Sequence, residues 1–248
     1  MFSENCYLRE IQLLKEKPGW VDGYPFFLPV FRGSDVIEFH PNVTFIIGEN
    51  GMGKSTLLEA IAVAWGFNPE GGTLNFNFST RESHSDLYQY IRLIKGIKRP
   101  RDGFFLRAES FYNVATNIEK LDEGPGGQTI INSYGGKSLH DQSHGEAFLS
   151  VVMNRFGGHG LYILDEPEAA LSPLRQMSLL SRIHDLVQQK SQFIIATHSP
   201  IIMGYPEAHI LQLHSDGFTK VNYEETEHYN ITREFIVNRE KMIKILLE

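Results

Sequence analysis

The stretch GENGMGKS, residues 48–55, governs how the rest of the chain is read. Gly48, Gly53, Lys54 and Ser55 stand at the spacing G-x-x-x-x-G-K-[ST] of a phosphate-binding loop. Glycines let a backbone curl until its N–H groups face inward and form an anion nest. A helix that begins at the end of the loop adds its partial positive charge. Lys54 can then reach the β- and γ-phosphates of a nucleotide, and the Ser55 hydroxyl can ligate Mg²⁺. Such a motif carries weight only between a strand and a helix, and both are expected here. VTFIIG (43–48) is a short, continuously apolar run, as a buried parallel strand requires. STLLEAIAVAWGF (55–67) has helical spacing and stops before Asn68 and Pro69.

Two further apolar runs lie downstream. GLYILDEPEAAL (160–171) opens with one, and QFIIATHSP (192–200) carries another, stopped by Pro200. The amphipathic LRQMSLLSRIHDLVQQK (174–190) separates them. Buried strands alternating with helices predict an α/β fold with a mostly parallel central sheet. Upstream, residues 7–13, PFFLPVF (25–31) and VIEFH (36–40) read as N-terminal antiparallel strands, the last two joined at a Gly33-Ser34-Asp35 turn. SDLYQYIRLI (85–94) reads as a helix and GFFLRAES (103–110) as a strand. QSHGEAFLSVVMNRF (142–156) reads as a helix, with Ser143 and Glu146 at capping-box spacing. HILQLH (209–214) and FTKVNYEE (218–225) form a hairpin, and HYNITREFIVNREKMIKILLE (228–248) reads as one closing helix. A single domain over 1–248 is expected, with a small helical subdomain inserted over roughly 70–155.

The segment ILDE (163–166) puts two carboxylates where an apolar strand ends. In an open α/β sheet ligands bind at that carboxyl edge. Asp165 would hold Mg²⁺ through its water shell, and Glu166 would orient and deprotonate an attacking water. Pro167 cannot continue a central strand, so the chain must leave the sheet there. ATHSP (196–200) places His198 at the end of another buried strand. Parallel strands share their ligand-facing edge, so His198 should lie beside Lys54 and Glu166, within reach of a γ-phosphate. Ser143-His144-Gly145-Glu146 begins a helix and is by itself only a weak anion site.

In order along the chain, GENGMGKSTLLEAIA, SHGEAFL, LDEPEAALSP and ATHSP resemble the motifs of the ABC-type ATPases over residues 36–213. Within them the chain is similar to the soluble branch around the SMC and RecF proteins and small bacterial predicted ATPases. The resemblance implies a P-loop NTPase fold of the ABC-ATPase head type, with ATP and Mg²⁺ bound and ATP hydrolysed to ADP and phosphate. The loop residues Gly48, Asn50, Gly51 and Gly53, with Lys54, Ser55 and Thr56, resemble the nucleotide contacts. Asp165 resembles the Walker B aspartate, Glu166 the catalytic base and His198 the switch histidine. By the same resemblance, Ser143, Gly145 and Glu146 would contact the γ-phosphate of nucleotide held by a second subunit, in an ATP-dependent homodimer. Ala170-Leu171-Ser172 would join the two sites. His144 and Glu146 depart from the Gly and Gln usual in transporter ATPases; Glu at the second position is common in the soluble branch. The glutamine that senses Mg²⁺ has no obvious counterpart: Gln89 falls in the expected helix, and Glu109, just after the GFFLRA strand, is the candidate. Arg32, Tyr24, Phe26 and Phe27 are candidates for the adenine contact, with a role in hairpin packing as the alternative.

The bulk properties set the limits. The chain has 248 residues, 42% hydrophobic and 21% charged, enough for one sizeable core. A net charge of −7 argues against broad electrostatic binding of nucleic acid, with RLIKGIKRPRDGFFLR (92–107) the one cationic cluster. DNA or an effector protein stays open as a partner. Cys6 is the single cysteine, which excludes an internal disulfide and fits a reducing cytoplasm. The N-terminal sequence lacks a signal-peptide pattern and no apolar run reaches about 18 residues, so a cytoplasmic protein without membrane insertion is expected. The interval of 89 residues from Lys54 to Ser143 leaves room for a helical subdomain but not for a long coiled coil. Two other uses of such a head stand as rivals: the ATP subunit of a membrane transporter, and a module in which ATP binding switches a partner. A P-loop kinase is the third rival, and SHGE and ATHSP in this order argue against it.

Overall fold

The computed structural model describes residues 6–20, 23–31, 35–74, 85–122 and 130–248. The expected parallel strands form. They are β3 (Val43–Ile47), β6 (Gly160–Asp165) and β7 (Gln192–Ala196), after β1 (Leu8–Leu13) and β2 (Val36–Glu38). Helix α1 (Lys54–Trp65) follows β3 directly. Between α1 and β6 lie β4 (Ile91–Lys95), β5 (Asp102–Arg107), α2 (Phe111–Asp122) and α3 (His144–Asn154). Next come α4 (Pro173–Gln188), the short α5 (Pro200–Met203), the hairpin β8 (His209–His214) and β9 (Gly217–Val221), then α6 (Glu227–Val237) and α7 (Arg239–Leu247).

The central sheet has six strands in the order β5-β6-β7-β3-β8-β9. All neighbours are parallel except β8 and β9. Every residue of β3, β6 and β7 is buried, because both faces are covered. Phe45, Ile47, Tyr162, Leu164, Phe193 and Ile195 share one core with Val114, Phe148 and Ile183 from α2, α3 and α4. Ile46, Ile163, Ile194 and Ala196 face the other core, with Leu57 and Ile61 of α1 and with Leu8, Ile11 and Ile37. Those last three belong to a second, antiparallel sheet, β2-β1-β4. The alternation of the two cores along each strand is the two-residue period of a pleated sheet. Buried Gln192 ties the two sheets together: its Oε1 accepts from Tyr7 N and Leu8 N, and its Nε2 donates to Leu8 O and His40 O.

Four local expectations need correction. Residues 25–31 are not a strand but a turn and a 3-10 segment, Pro29–Phe31. Pro25 and Pro29 lack the N–H a ladder needs. Val30 N instead donates to Met52 O at 3.2 Å and docks the segment against the phosphate loop. Residues 85–94 are not a helix: a 3-10 segment, Asp86–Tyr90, leads into β4. There, pairing of Ile91 with Leu13 and Leu93 with Ile11 outweighs local helical spacing. The closing helix is two helices. Asn238 leaves helical geometry (φ −118°, ψ 36°), donates its N–H to Glu234 O and accepts from Met242 N, so it ends α6 and starts α7. The span 70–155, expected as helical, also contributes β4 and β5 to the two sheets. Of the Gly33-Ser34-Asp35 turn, Gly33 and Ser34 lie outside the described residues, as does Arg32.

Candidate functional site

The carboxyl ends of β3, β6 and β7 meet at the start of α1. Residue pairing aligns Ile46 with Ala196 and Asp165 with Ala196, so the segments that leave these strands converge. The loop after β3 curls through positive φ at Gly48 (147°), Gly51 (79°) and Gly53 (99°). Gly53 is required twice over. Its φ is left-handed, and a Cβ there would sit 2.7 Å from Val30 Cγ1. Gly51 is exposed, with nothing within 4 Å of an added Cβ, so its need for glycine is conformational alone.

Lys54 is almost fully buried, and its Nζ donates to Gly48 O at 2.8 Å and Glu49 O at 2.9 Å. Burial lowers its pKa, while Glu166, Asp165 and Glu168 pull it back up. The Ser55 hydroxyl donates to Asp165 Oδ1 at 3.0 Å. Burial pushes the Asp165 carboxyl up to about 6, and the nearby Arg107 and the Ser55 hydrogen bond work against that rise. Arg107 ends β5 directly opposite Asp165, with Nε 3.4 Å from Asp165 Oδ2 and Nη1 2.8 Å from Glu59 Oε2. Its Nε makes no aligned hydrogen bond among the described residues, so the contact to Asp165 is ionic rather than directional.

Glu166 follows in left-handed geometry (φ 51°, ψ 52°), uncommon for any residue but glycine. Its N–H donates to Ala196 O at 3.0 Å, and its Oε1 lies 3.7 Å from His198 Nε2. Strain of this kind persists only where the surroundings enforce it, and it clusters at functional sites. Glu168 holds the neighbouring segment. It accepts from Thr197 Oγ1 at 2.8 Å and from the His198 N–H, and burial raises its pKa.

The donor set suits Mg²⁺. A hydroxyl and one buried carboxylate converge, and Mg²⁺ typically takes one or two carboxylates and keeps several waters. Among the described residues no cluster of three or more His, Cys, Asp or Glu could cage a metal. Glu109 borders a cavity of about 340 Å³ with Ser55, His144, Asp165 and Glu166. Its side chain is 88% exposed and only loosely paired with Arg107, at 3.7 Å. Gln89 is exposed and bonds to Asp86 Oδ1.

Asn50 borders a second cavity with Gly48, His198 and His228, and Thr56 a third with Tyr24 and Ser55. The Tyr24 hydroxyl is 3.4 Å from Thr56 Oγ1, which leaves this exposed ring beside the loop. Phe26 instead packs on Trp20 and Tyr90. The α3 start is a complete capping box. Ser143 Oγ accepts from Glu146 N, and Glu146 Oε2 accepts from Ser143 N at 3.1 Å and Ser143 Oγ at 2.7 Å. Those bonds with Ser143 come first in holding the Glu146 pKa down, with Arg175, 2.9 Å away, a lesser cause. A Cβ on Gly145 would overlap Ala170 O, so this glycine lets α3 press against the 167–170 turn. Ser143, His144 and Glu146 are exposed. The side-chain hydrogen bonds of Ser143 and Glu146 run to each other and to Arg175, none to Lys54 or Asp165.

Three participants were not foreseen: Arg107, Glu168 and His228. Glu168 had a weak signal in its place two residues after the acidic pair. Arg107 and His228 had none, because strand register and helix docking bring them to the site.

A family model described as an AAA domain (AAA_23) matches residues 27–246. The ABC transporter G family member STR2 of Medicago truncatula is 27% identical over 182 residues, which are 67% of this chain but only 25% of that protein. The L-cystine transport system ATP-binding protein TcyN of Escherichia coli is 27% identical over 191 residues, 68% of this chain and 74% of that one. Among solved structures, cbiO1 of Clostridium perfringens, part of the ABC transporter complex cbiONQ, aligns over 98% of this chain and 99% of its own at 18% identity and a TM-score of 0.52. Among the described residues no helix is long and apolar enough to cross a membrane.

Proposed function

The chain belongs to the AAA domain family and has an ABC-type P-loop ATPase fold, and from that premise we propose that it hydrolyses ATP to ADP and phosphate with Mg²⁺. The observation that carries this reading is the convergence of Lys54, the Ser55–Asp165 pair and the Glu166–His198 pair at one sheet edge. Lys54 now bonds carbonyls of its own loop, and on nucleotide binding it would exchange them for phosphate oxygens. The loop N–H groups would hold the remaining phosphate charge. Ser55 and Asp165 would hold Mg²⁺, which when bound neutralises phosphate charge. Glu166 would accept a proton from the attacking water while the bond from the γ-phosphorus to the bridging oxygen breaks. His198 would donate to a γ-phosphate oxygen.

We assign the chain to the SMC/RecF-like branch, on Glu146 within SHGE. On that reading two chains sandwich two nucleotides. The exposed α3 start, with Ser143, Gly145 and Glu146, would complete the site of the second chain. The reading is tested with Glu166→Gln. The variant should keep ATP binding, lose turnover and elute as a dimer with Mg-ATP. A strictly monomeric variant at saturating Mg-ATP would sink the composite site. The names of the relatives favour one rival, an ATP subunit serving a membrane transporter. Copurification with a membrane protein would support it. An ATPase assay with and without DNA separates a DNA-linked role from both.

A further inference from the structure

His198 has a partner that lies in none of the motifs. Its Nδ1 is 3.1 Å from Nε2 of His228, in the first turn of α6. The rings lie 5.3 Å apart, tilted at 50°. His228 is held firmly. Fully buried Thr226 caps α6 by accepting from Tyr229 N and donates to Tyr223 O at 2.8 Å. The Tyr223 hydroxyl donates to Pro200 O at 2.8 Å, two residues beyond His198. The α6 start and the His198 segment therefore form one hydrogen-bonded unit.

A hydrogen bond between two neutral imidazoles needs one N–H and one lone pair, and there are two ways to share them. If His198 Nδ1 donates, its Nε2 presents a lone pair to Glu166 Oε1, 3.7 Å away, and to any γ-phosphate oxygen. Both of those are acceptors, so this arrangement is repulsive. If His228 Nε2 donates, His198 Nε2 carries the proton and faces both acceptors as a donor. Among the described residues, His198 Nε2 and His228 Nδ1 are buried atoms without a hydrogen-bond partner. In the second arrangement the unpaired N–H is the one aimed at Glu166. Burial lowers both pKa values, Lys54 adds to this at His198 and His198 adds to it at His228, while Glu166 and Glu227 pull the other way; the net lowering makes the neutral pair the relevant species near neutral pH.

We propose that His228 is a positioning residue that holds His198 in the Nε2–H tautomer, so that His198 meets the γ-phosphate as a hydrogen-bond donor. This rests on the reading of His198 as the γ-phosphate contact. A histidine's second nitrogen commonly fixes its tautomer in this way.

The test combines tautomer and kinetics. In ¹⁵N-histidine-labelled full-length protein without nucleotide at pH 8, long-range ¹H–¹⁵N spectra should show His198 protonated at Nε2 and bare at Nδ1. His228→Leu should bring in the second tautomer and lower kcat about tenfold, with the ATP KM within about twofold of wild type. His228→Gln, which can present an amide N–H at the same place, should recover most of kcat. Wild-type His198 protonated at Nδ1 would overturn the proposal without recourse to any variant. An unchanged kcat in His228→Leu would also overturn it. If His198→Ala turns over like wild type, the γ-phosphate role fails instead, and the spectra still report on the His228–His198 pair.

Discussion

Every residue of β3, β6 and β7 is buried, whereas α6 and α7 contain no buried residue at all. The strands are apolar almost throughout, and the helices carry apolar residues interspersed with charged ones. In the strands the apolar side chains meet two cores. In the helices, Ile236, Val237 and Leu247 are 71%, 69% and 81% exposed. Strand ends pinned from both faces can hold Lys54, Asp165 and His198 at fixed spacing. The terminal helices are held chiefly by the first turn of α6, through Thr226 and His228. The difference separates a rigid edge that can position reacting groups from an appendage joined to it through the first half of α6. A region anchored in this way is expected at the low end of local stability.

The contrast can be broken most directly by truncation. Phe193→Ala should cost about 3–5 kcal/mol in denaturant unfolding, because Phe193 is fully buried between Tyr162 and the surrounding core. Phe235→Ala in α6 should cost under about 1 kcal/mol, since that side chain is partly exposed. Equal costs would mean that α6 is packed in a way its exposure denies. Lys54→Ala should weaken ATP binding at least about a hundredfold, or about 3 kcal/mol, by calorimetry, with the fold intact. Retained affinity would remove the phosphate-loop assignment.

Thr226→Ala acts where α6 joins the sheet edge. It removes the α6 cap and a buried hydrogen bond and should cost about 1–2 kcal/mol locally. Hydrogen exchange should speed up in α6 while β3 and β7 amides keep their protection. A pH effect is expected at the opposite end of the sheet. His209, against His40 with ring centroids 4.5 Å apart, is lowered to about 4, by burial first and then by Lys220 and His40. A depressed native pKa means the unfolded chain binds the proton first. The stabilisation is complete above about pH 6.5 and is lost as pH falls towards 4. Thermal melts from pH 7.5 to 4.5 should fall more steeply for wild type than for His209→Gln.

Much of the edge was legible because it is built from short local patterns. VTFIIGENGMGKS, GLYILDEP and QFIIATHSP each combine an apolar run with its terminating chemistry, and parallel strands bring such ends together. The capping box at Ser143 was legible for the same reason, since its bonds span three residues. Helix α2 had a signal that was missed: Phe111, Val114, Ala115 and Ile118 are buried at helical spacing. Residues 85–94 misled, because pairing with β1, far away in the chain, overrode the local period.

The sequence by itself determined the parallel α/β core, the phosphate loop and the identity of the groups at the ends of β3, β6 and β7. Those features depend on side-chain order within a few residues, and local sterics and burial translate that order directly. Only the tertiary structure decided that Arg107 faces Asp165, that Glu168 holds the His198 segment, and that His228 completes the histidine pair. Each of these depends on register or docking between segments 30 or more residues apart. No local propensity encodes such a distance; packing of the whole core does.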